Sequence, residues 1–156
     1  MEFIYQYHVV IIGIFFLSVI AVMTGFTYRD KRWVSKNYNR EEIIALGFGI
    51  VCYGLDSEQG APKKHKGFLL IHKNGVLFKS RFSDIVYDIP GNAIQKAYHG
   101  DSHKGARLYQ AAVKIDFLTA AESDDSEKVE TIAFKMAYPP QWIKIIGKTF
   151  MAEPSS

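Results

Sequence analysis

The sequence predicts one N-terminal transmembrane α-helix followed by a mainly-β domain, a barrel or sandwich of about seven antiparallel strands closed by a C-terminal amphipathic helix. Three observations predict it. Residues 3–28, FIYQYHVVIIGIFFLSVIAVMTGFTY, contain no Asp, Glu, Lys or Arg. Short β-rich runs punctuated by Gly, Asn and Pro fill residues 43–136. The run PPQWIKIIGKTF then changes to helical spacing, with Trp142, Ile145, Ile146 and Phe150 on one face and Lys144 and Lys148 off it.

The apolar head comes first. About 20 apolar residues in a helix span a hydrocarbon core about 30 Å thick, so residues 3–28 are long enough with some tilt. A cleavable signal peptide wants a basic start and a small-residue cleavage site, but MEFIYQYH carries Glu2 and no Lys or Arg, and AVMTGFTY has no A-x-A pattern. A buried core helix apolar on every face is out of place in so small a chain. The expectation is an uncleaved anchor over 3–28. Residues 29–42 form a basic juxtamembrane segment with Arg29, Lys31, Arg32, Lys36 and Arg40, and no basic residue precedes the span. Cytoplasmic flanks carry the Lys/Arg excess, so a single-pass protein with its N-terminus outside and its domain in the cytoplasm is expected. Arg29, Lys31, Arg32 and Trp33 are the expected membrane-interface residues, with Tyr5, Tyr7 and Tyr28 at the aromatic belts. Gly13 and Ser18 can seat a neighbouring helix, but the span holds no GxxxG pair.

Composition narrows the class. The chain has 156 residues and one cysteine, Cys52, so no internal disulfide staples it. Cys52, in IVCYGL, reads as a small buried apolar residue. A formal charge of +3 lacks the strong basic patch of a nucleic-acid binder, and no nucleic-acid partner is expected.

Residues 43–150 make the domain. IIALGFGIVCYGL reads as a long first strand with a bulge or bend at a glycine, although its start can also extend a helix from Arg40. SEQGAPKKHKG is a loop. GFLLIHKNGVLFKS reads as a hairpin, strands near 67–72 and 76–81, turning at Asn74-Gly75 in type I′ geometry. IVYDIP is a short strand stopped by Pro90-Gly91, and NAIQKAYHG another, with Ile94 inward. HGDSHKGAR reads as a loop. In RLYQAAVKIDFL, Val113, Ile115 and Phe117 alternate with Lys114 and Asp116, the period of a half-buried strand. TAAESDDSEK is an acidic loop. KVETIAFKM is the last strand, its inward set either Val129, Thr131, Ala133 and Lys135 or Ile132, Phe134 and Met136. Proline at the start of the closing helix sits where its missing N–H is no loss. Residues 151–156 form a flexible tail.

The run GFLLIHKNGVLFKSRFSDIVYDIPGNAIQKAYHG resembles the core of pleckstrin-homology-like (PH-like) domains of the GRAM and bacterial PH type. The resemblance rests on Gly67, on Asn74-Gly75, on Val76-Leu77-Phe78 and on Ile89-Pro90 followed by Ile94. VKIDF, TIAFKM and PPQWIKII look like the end of the same fold, so the likeness covers residues 43–150. It implies a binding or scaffold domain that docks a protein partner or a membrane-complex subunit, or one that senses phosphoinositide headgroups.

Basic residues near the first hairpin carry the lipid alternative: Lys63, Lys64, Lys66, Lys73, Lys79 and Arg81. Lys79 and Arg81, two apart in a strand, share a face and can bind phosphate by charge-assisted hydrogen bonds. His99, Asp101 and His103 match no zinc spacing, so no metal is expected. The acidic loop, with Glu122, Asp124, Asp125 and Glu127, lacks EF-hand spacing. No GxGxxG, Walker loop, HExxH, CxxC or GxSxG is present, so neither a cofactor nor an enzymatic activity is expected. The partners expected are membrane lipids through the anchor and a protein.

Overall fold

The computed structural model describes residues 2–108, 112–120 and 127–151, with the backbone alone for 2–6 and 120. The chain divides into two compact units, Met1–Asn39 and Arg40–Ser156.

The first unit is the helix α1, Glu2–Asn37, 36 residues long. It is long and apolar enough to cross a membrane. Its hydroxyls do not disturb it. Ser18 Oγ donates to the Phe15 carbonyl at 2.7 Å, Thr24 Oγ1 to Ile20 at 2.7 Å and Thr27 Oγ1 to Met23 at 3.1 Å. Each of these hydroxyl hydrogens is thereby used within the helix. The helix runs nine residues past Tyr28, because no Gly or Pro interrupts residues 28–37. The basic segment expected over 29–42 is therefore mostly the end of α1, followed by a 3-10 turn at Arg40–Glu42.

The second unit is a seven-stranded antiparallel sheet with a C-terminal helix. Its strands are β1 Ile43–Leu55, β2 His65–His72, β3 Gly75–Ser80, β4 Val86–Pro90, β5 Ile94–His99, β8 Ala112–Ala120 and β9 Glu127–Lys135; a small separate hairpin is made of β6 Ser102–His103 and β7 Ala106–Arg107. The order across the sheet is β4-β3-β2-β1-β9-β8-β5. β4 and β5 end it and share no ladder, so hydrogen bonding does not close a barrel. The sheet nevertheless curls. Phe78 of β3 and Phe134 of β9 sit three strands apart, about 14 Å on a flat sheet, yet their ring centroids are 5.7 Å apart.

β1 is the corner. Its first ten residues pair with β2 and its last five with β9, Val51 and Cys52 serving both ladders. The register slips between Phe48 and Ile50 and between Cys52 and Leu55, where Gly49 and Gly54 take φ of +71° and +78°. A side chain at either would be strained, which accounts for two of the glycines expected to mark bends.

The hairpin between β2 and β3 turns one residue earlier than expected. Lys73 and Asn74 are its central residues, His72 pairs with Gly75, and neither Asn74 nor Gly75 has a positive φ, so the type I′ turn does not form. Gly75 is needed for another reason: a Cβ there would lie 2.2 Å from the Ile89 carbonyl oxygen of β4.

The core lies on the inner face. Cys52, Leu69, Ile71, Val76, Phe78, Ile89, Ile94, Val113, Ile115, Ile132 and Phe134 form one cluster, joined by Ile146 of α2, Pro139–Ile146. The apolar set of β9 thus decides its orientation. Ala133 faces the other way, into a small cluster with Tyr53, Leu108 and Ala112. A π-helical turn, Gly147–Met151, follows α2, so Met151 belongs to the helix; 152–156 lie outside the described residues, as do 121–126 of the acidic loop and 109–111 of the strand expected from Arg107.

α2 docks by an aromatic-on-glycine contact. A Cβ on Gly47 would lie 2.6 Å from Trp142 Cζ2. Trp142→Ala should destabilise the domain by about 3 kcal/mol through the lost burial and the cavity left behind. Gly47→Val should cost about 1–3 kcal/mol by overpacking the same site. Denaturant unfolding of the detergent-solubilised chain measures both, and the double variant should fall short of the sum, because each change removes the same contact.

Candidate functional site

The polar groups of the second unit concentrate where β1 bends at Gly54 and the chain leaves for β2. Three elements pin this β1–β2 loop. From β9, the Thr131 carbonyl accepts from the Asp56 N–H at 2.9 Å, and buried Glu130 Oε1 accepts from the Ser57 N–H at 2.7 Å. From the β6–β7 hairpin, Lys104 Nζ donates to the Glu58 carbonyl. From β4, the Tyr87 hydroxyl donates to Glu58 Oε1 at 2.5 Å. Burial, then the bond to Glu58, pushes the Tyr87 phenol up, so it stays protonated and holds the carboxylate.

Between this loop and the β3–β4 turn lies an open cleft of about 680 Å³, lined by Glu58, Gln59, Lys63, His65, Asp84, Ile85, Val86 and Tyr87. Its charge is mixed, Glu58 and Asp84 lining it together with Lys63. A polyanionic headgroup finds two carboxylates there, which works against it.

His103 is buried in the small hairpin. Nε2 lies 2.9 Å from the Gly54 carbonyl oxygen and Nδ1 3.1 Å from Asp56 Oδ1. Both neighbours are acceptors, and the neutral ring has one N–H to offer, so one nitrogen donates while the other meets an acceptor with its lone pair. Burial holds the imidazole below its ordinary value; Asp56 opposes that and Lys114 and Lys104 add to it. Cys52 lies close by, its Sγ accepting from the Gly54 N–H at 3.3 Å. Burial pushes the thiol up to about 12. It is a thiol at neutral pH, without the thiolate character a nucleophile needs.

The predicted basic residues disperse. Lys63 enters the cleft, and Lys64 lies over the Tyr53 ring at 5.9 Å. Lys73 sits at the β2–β3 turn, seven residues or about 23 Å of strand from Lys66. Lys66, Lys79 and Arg81 do gather. The Arg81 N–H donates to the Lys66 carbonyl at 2.9 Å, and the register puts all three side chains on one face of β2 and β3, with Arg81 buried. At the interface residues of α1, the Arg29 guanidinium lies 5.4 Å from the Phe26 ring, and Trp33 packs near Tyr38 at 6.4 Å; Lys31 and Arg32 are exposed.

The HGDSH run is split. His99 and Asp101 face each other at the surface at 3.6 Å, while His103 turns inward. Among the described residues no three His, Cys, Asp or Glu side chains are placed to hold a metal ion. Glu58, Asp84 and Tyr87 were not singled out from the sequence. They come from separate elements and no spacing links them.

No protein-family model matches the chain, and no curated protein matches it in sequence. Among solved structures, the C-terminal domain of an unknown protein from Leishmania infantum is similar, with a TM-score of 0.51 and 13% identity over 83% of this chain and 99% of that one. The likeness is one of fold.

The lowered pKa of His103 makes stability depend on pH in one direction. The unfolded imidazole, ordinarily near 6.5, binds a proton more readily than the folded one. Its contribution is therefore full above that value and is lost as pH falls through it toward the folded value, with a slope of at most about 1.4 kcal/mol per pH unit. Denaturant unfolding between about pH 7.5 and pH 5 should show this loss, and His103→Gln should flatten the slope over that window.

Proposed function

We propose that the chain is a membrane-anchored, non-catalytic docking protein whose PH-like domain holds a protein partner, or a subunit of a membrane complex, at the cytoplasmic face. The observation that carries this reading is the open sheet, with β4 and β5 as unclosed ends. An open edge accepts an extended segment of another chain by adding a strand, with main-chain hydrogen bonds for affinity and side-chain sites for specificity. The corner strand and the helix over the inner face fit the PH-like resemblance of residues 43–150. The basic end of α1, Arg29, Lys31, Arg32 and Lys36, supports a cytoplasmic domain by the positive-inside rule. The inert thiol of Cys52 favours binding over covalent chemistry.

A second reading, recognition of an anionic or phosphoinositide headgroup, is favoured by the gathering of Lys66, Lys79 and Arg81 on one face.

Purification of the full chain from detergent-solubilised membranes tests the first reading: a stoichiometric protein partner should co-purify, and a chain that runs alone and monodisperse overturns it. Protease added to sealed, right-side-out vesicles should leave the β-domain intact; its digestion reverses the topology. For the second reading, a soluble inositol polyphosphate should bind the solubilised chain and lose about tenfold or more in affinity with Lys79→Ala and Arg81→Ala together. Equal binding by the variant removes that reading.

A further inference from the structure

The two edges of the sheet are not equivalent. β5 has a register slip at Gln95, an exposed Lys96 on the strand, and α2 and the turn after it packed against it. A bulge and an edge lysine both discourage another strand from pairing. β4 pairs with β3 through five rungs without a slip, from Gly75↔Pro90 to Lys79↔Val86.

The two hydrogen bonds flanking that ladder give its phase. The Ser80 N–H donates to the Ile85 carbonyl at 2.9 Å, and the Gly91 N–H donates to the Asn74 carbonyl at 2.7 Å. In an unbroken antiparallel ladder the hydrogen-bonded residues alternate, so Ile85, Tyr87, Ile89 and Gly91 direct their main-chain groups toward β3. Val86 and Asp88 therefore direct both N–H and C=O away from it, to the open edge. Pro90 offers only a carbonyl, which ends the run. The side chains of Val86 and Asp88 are exposed, Val86 by 44%.

The same strand opens into the cleft, whose lining includes Asp84, Ile85, Val86 and Tyr87. Carboxylates outnumber ammonium groups in the cleft itself, where Glu58, fixed by Tyr87, and Asp84 accompany Lys63; Asp88 continues the acidic side along β4, with Lys79 opposite Val86 on β3. We infer that the free edge of β4 is the docking strand, and that its partner is an extended peptide segment bearing Lys or Arg, a basic side chain entering the cleft between Glu58 and Asp84 while the main chain pairs with Val86 and Asp88. This rests on the docking reading above and names its edge and the chemistry of its partner. Charge complementarity selects the basic segment. The short run of free main-chain groups limits pairing by strands that lack that charge.

The experiment uses the full chain in detergent and a fluorescein-labelled peptide of alternating Lys and Val, beside its Glu-for-Lys counterpart. The Lys peptide should bind and weaken as salt rises; the Glu peptide should not bind. Val86→Pro removes an N–H that no β3 group uses, and should weaken binding about tenfold or more. Asp84→Lys with Asp88→Lys should do the same and leaves the backbone alone, so the test stands even if the proline variant misfolds. Amide hydrogen exchange at Val86 and Asp88 should slow on binding. Equal binding by wild type and both variants, or a preference for the Glu peptide, overturns the assignment. A protein partner that co-purifies equally with wild type and with the double lysine variant also overturns it, while leaving the docking reading intact.

Discussion

β1 is hydrogen-bonded on both sides, but not along the same residues. Its first part belongs to the β2 ladder and its end to the β9 ladder, and only Val51 and Cys52 serve both. That offset turns a single sheet into a curled one with one inner face. Without it Phe78 and Phe134 would not meet, and α2 would have no concave surface to cover. The offset needs backbone that ordinary side chains resist, supplied by Gly49 and Gly54 at positive φ. The slip at Gly54 is also where polar groups gather. The bend at Gly54 turns its carbonyl to His103 and leads the chain into the loop that Glu130, Lys104 and Tyr87 hold. The corner that shapes the core therefore also shapes the cleft.

Much of this was legible in the sequence, for reasons that differ by element. The long apolar helix was, because a run of more than twenty uncharged, apolar residues without Pro predicts a helix long enough to span a membrane. Its end was not: composition changes at Arg29, but helix propensity does not, and the polar residues to Asn37 continue it. β8 declared itself by strict alternation. β9 was ambiguous, since Val129 and Ala133 are as apolar as Ile132, and only packing shows that the second face is also covered at Ala133. The β2–β3 turn was placed one residue late because Asn-Gly suggests a need for positive φ. The constraint on Gly75 is instead the close approach of β4, a contact between strands that local reading does not see.

The cleft was not legible at all. Lys63 was noted as one cation among six, and its carboxylate neighbours come from the loop after β1 and the turn before β4. What a charge does depends on its company. In a list, Lys63, Lys64 and Lys66 are a basic run; in the fold, one lines a cleft with two carboxylates, one covers an aromatic ring and one joins Lys79 and Arg81. Loops place such groups through long-range hydrogen bonds, and those become visible only with the strand order.

One buried atom has a practical side. Cys52 is the sole cysteine of the chain, and its side chain is fully enclosed, with the thiol held protonated. Alkylating reagents need both access and a thiolate, and the native fold withholds both. The molecule is thus chemically silent toward maleimides without any engineering. A single cysteine placed at a chosen surface position would carry a spin label or a fluorophore alone, reporting on the sheet or on the surroundings of α1 from an otherwise natural sequence.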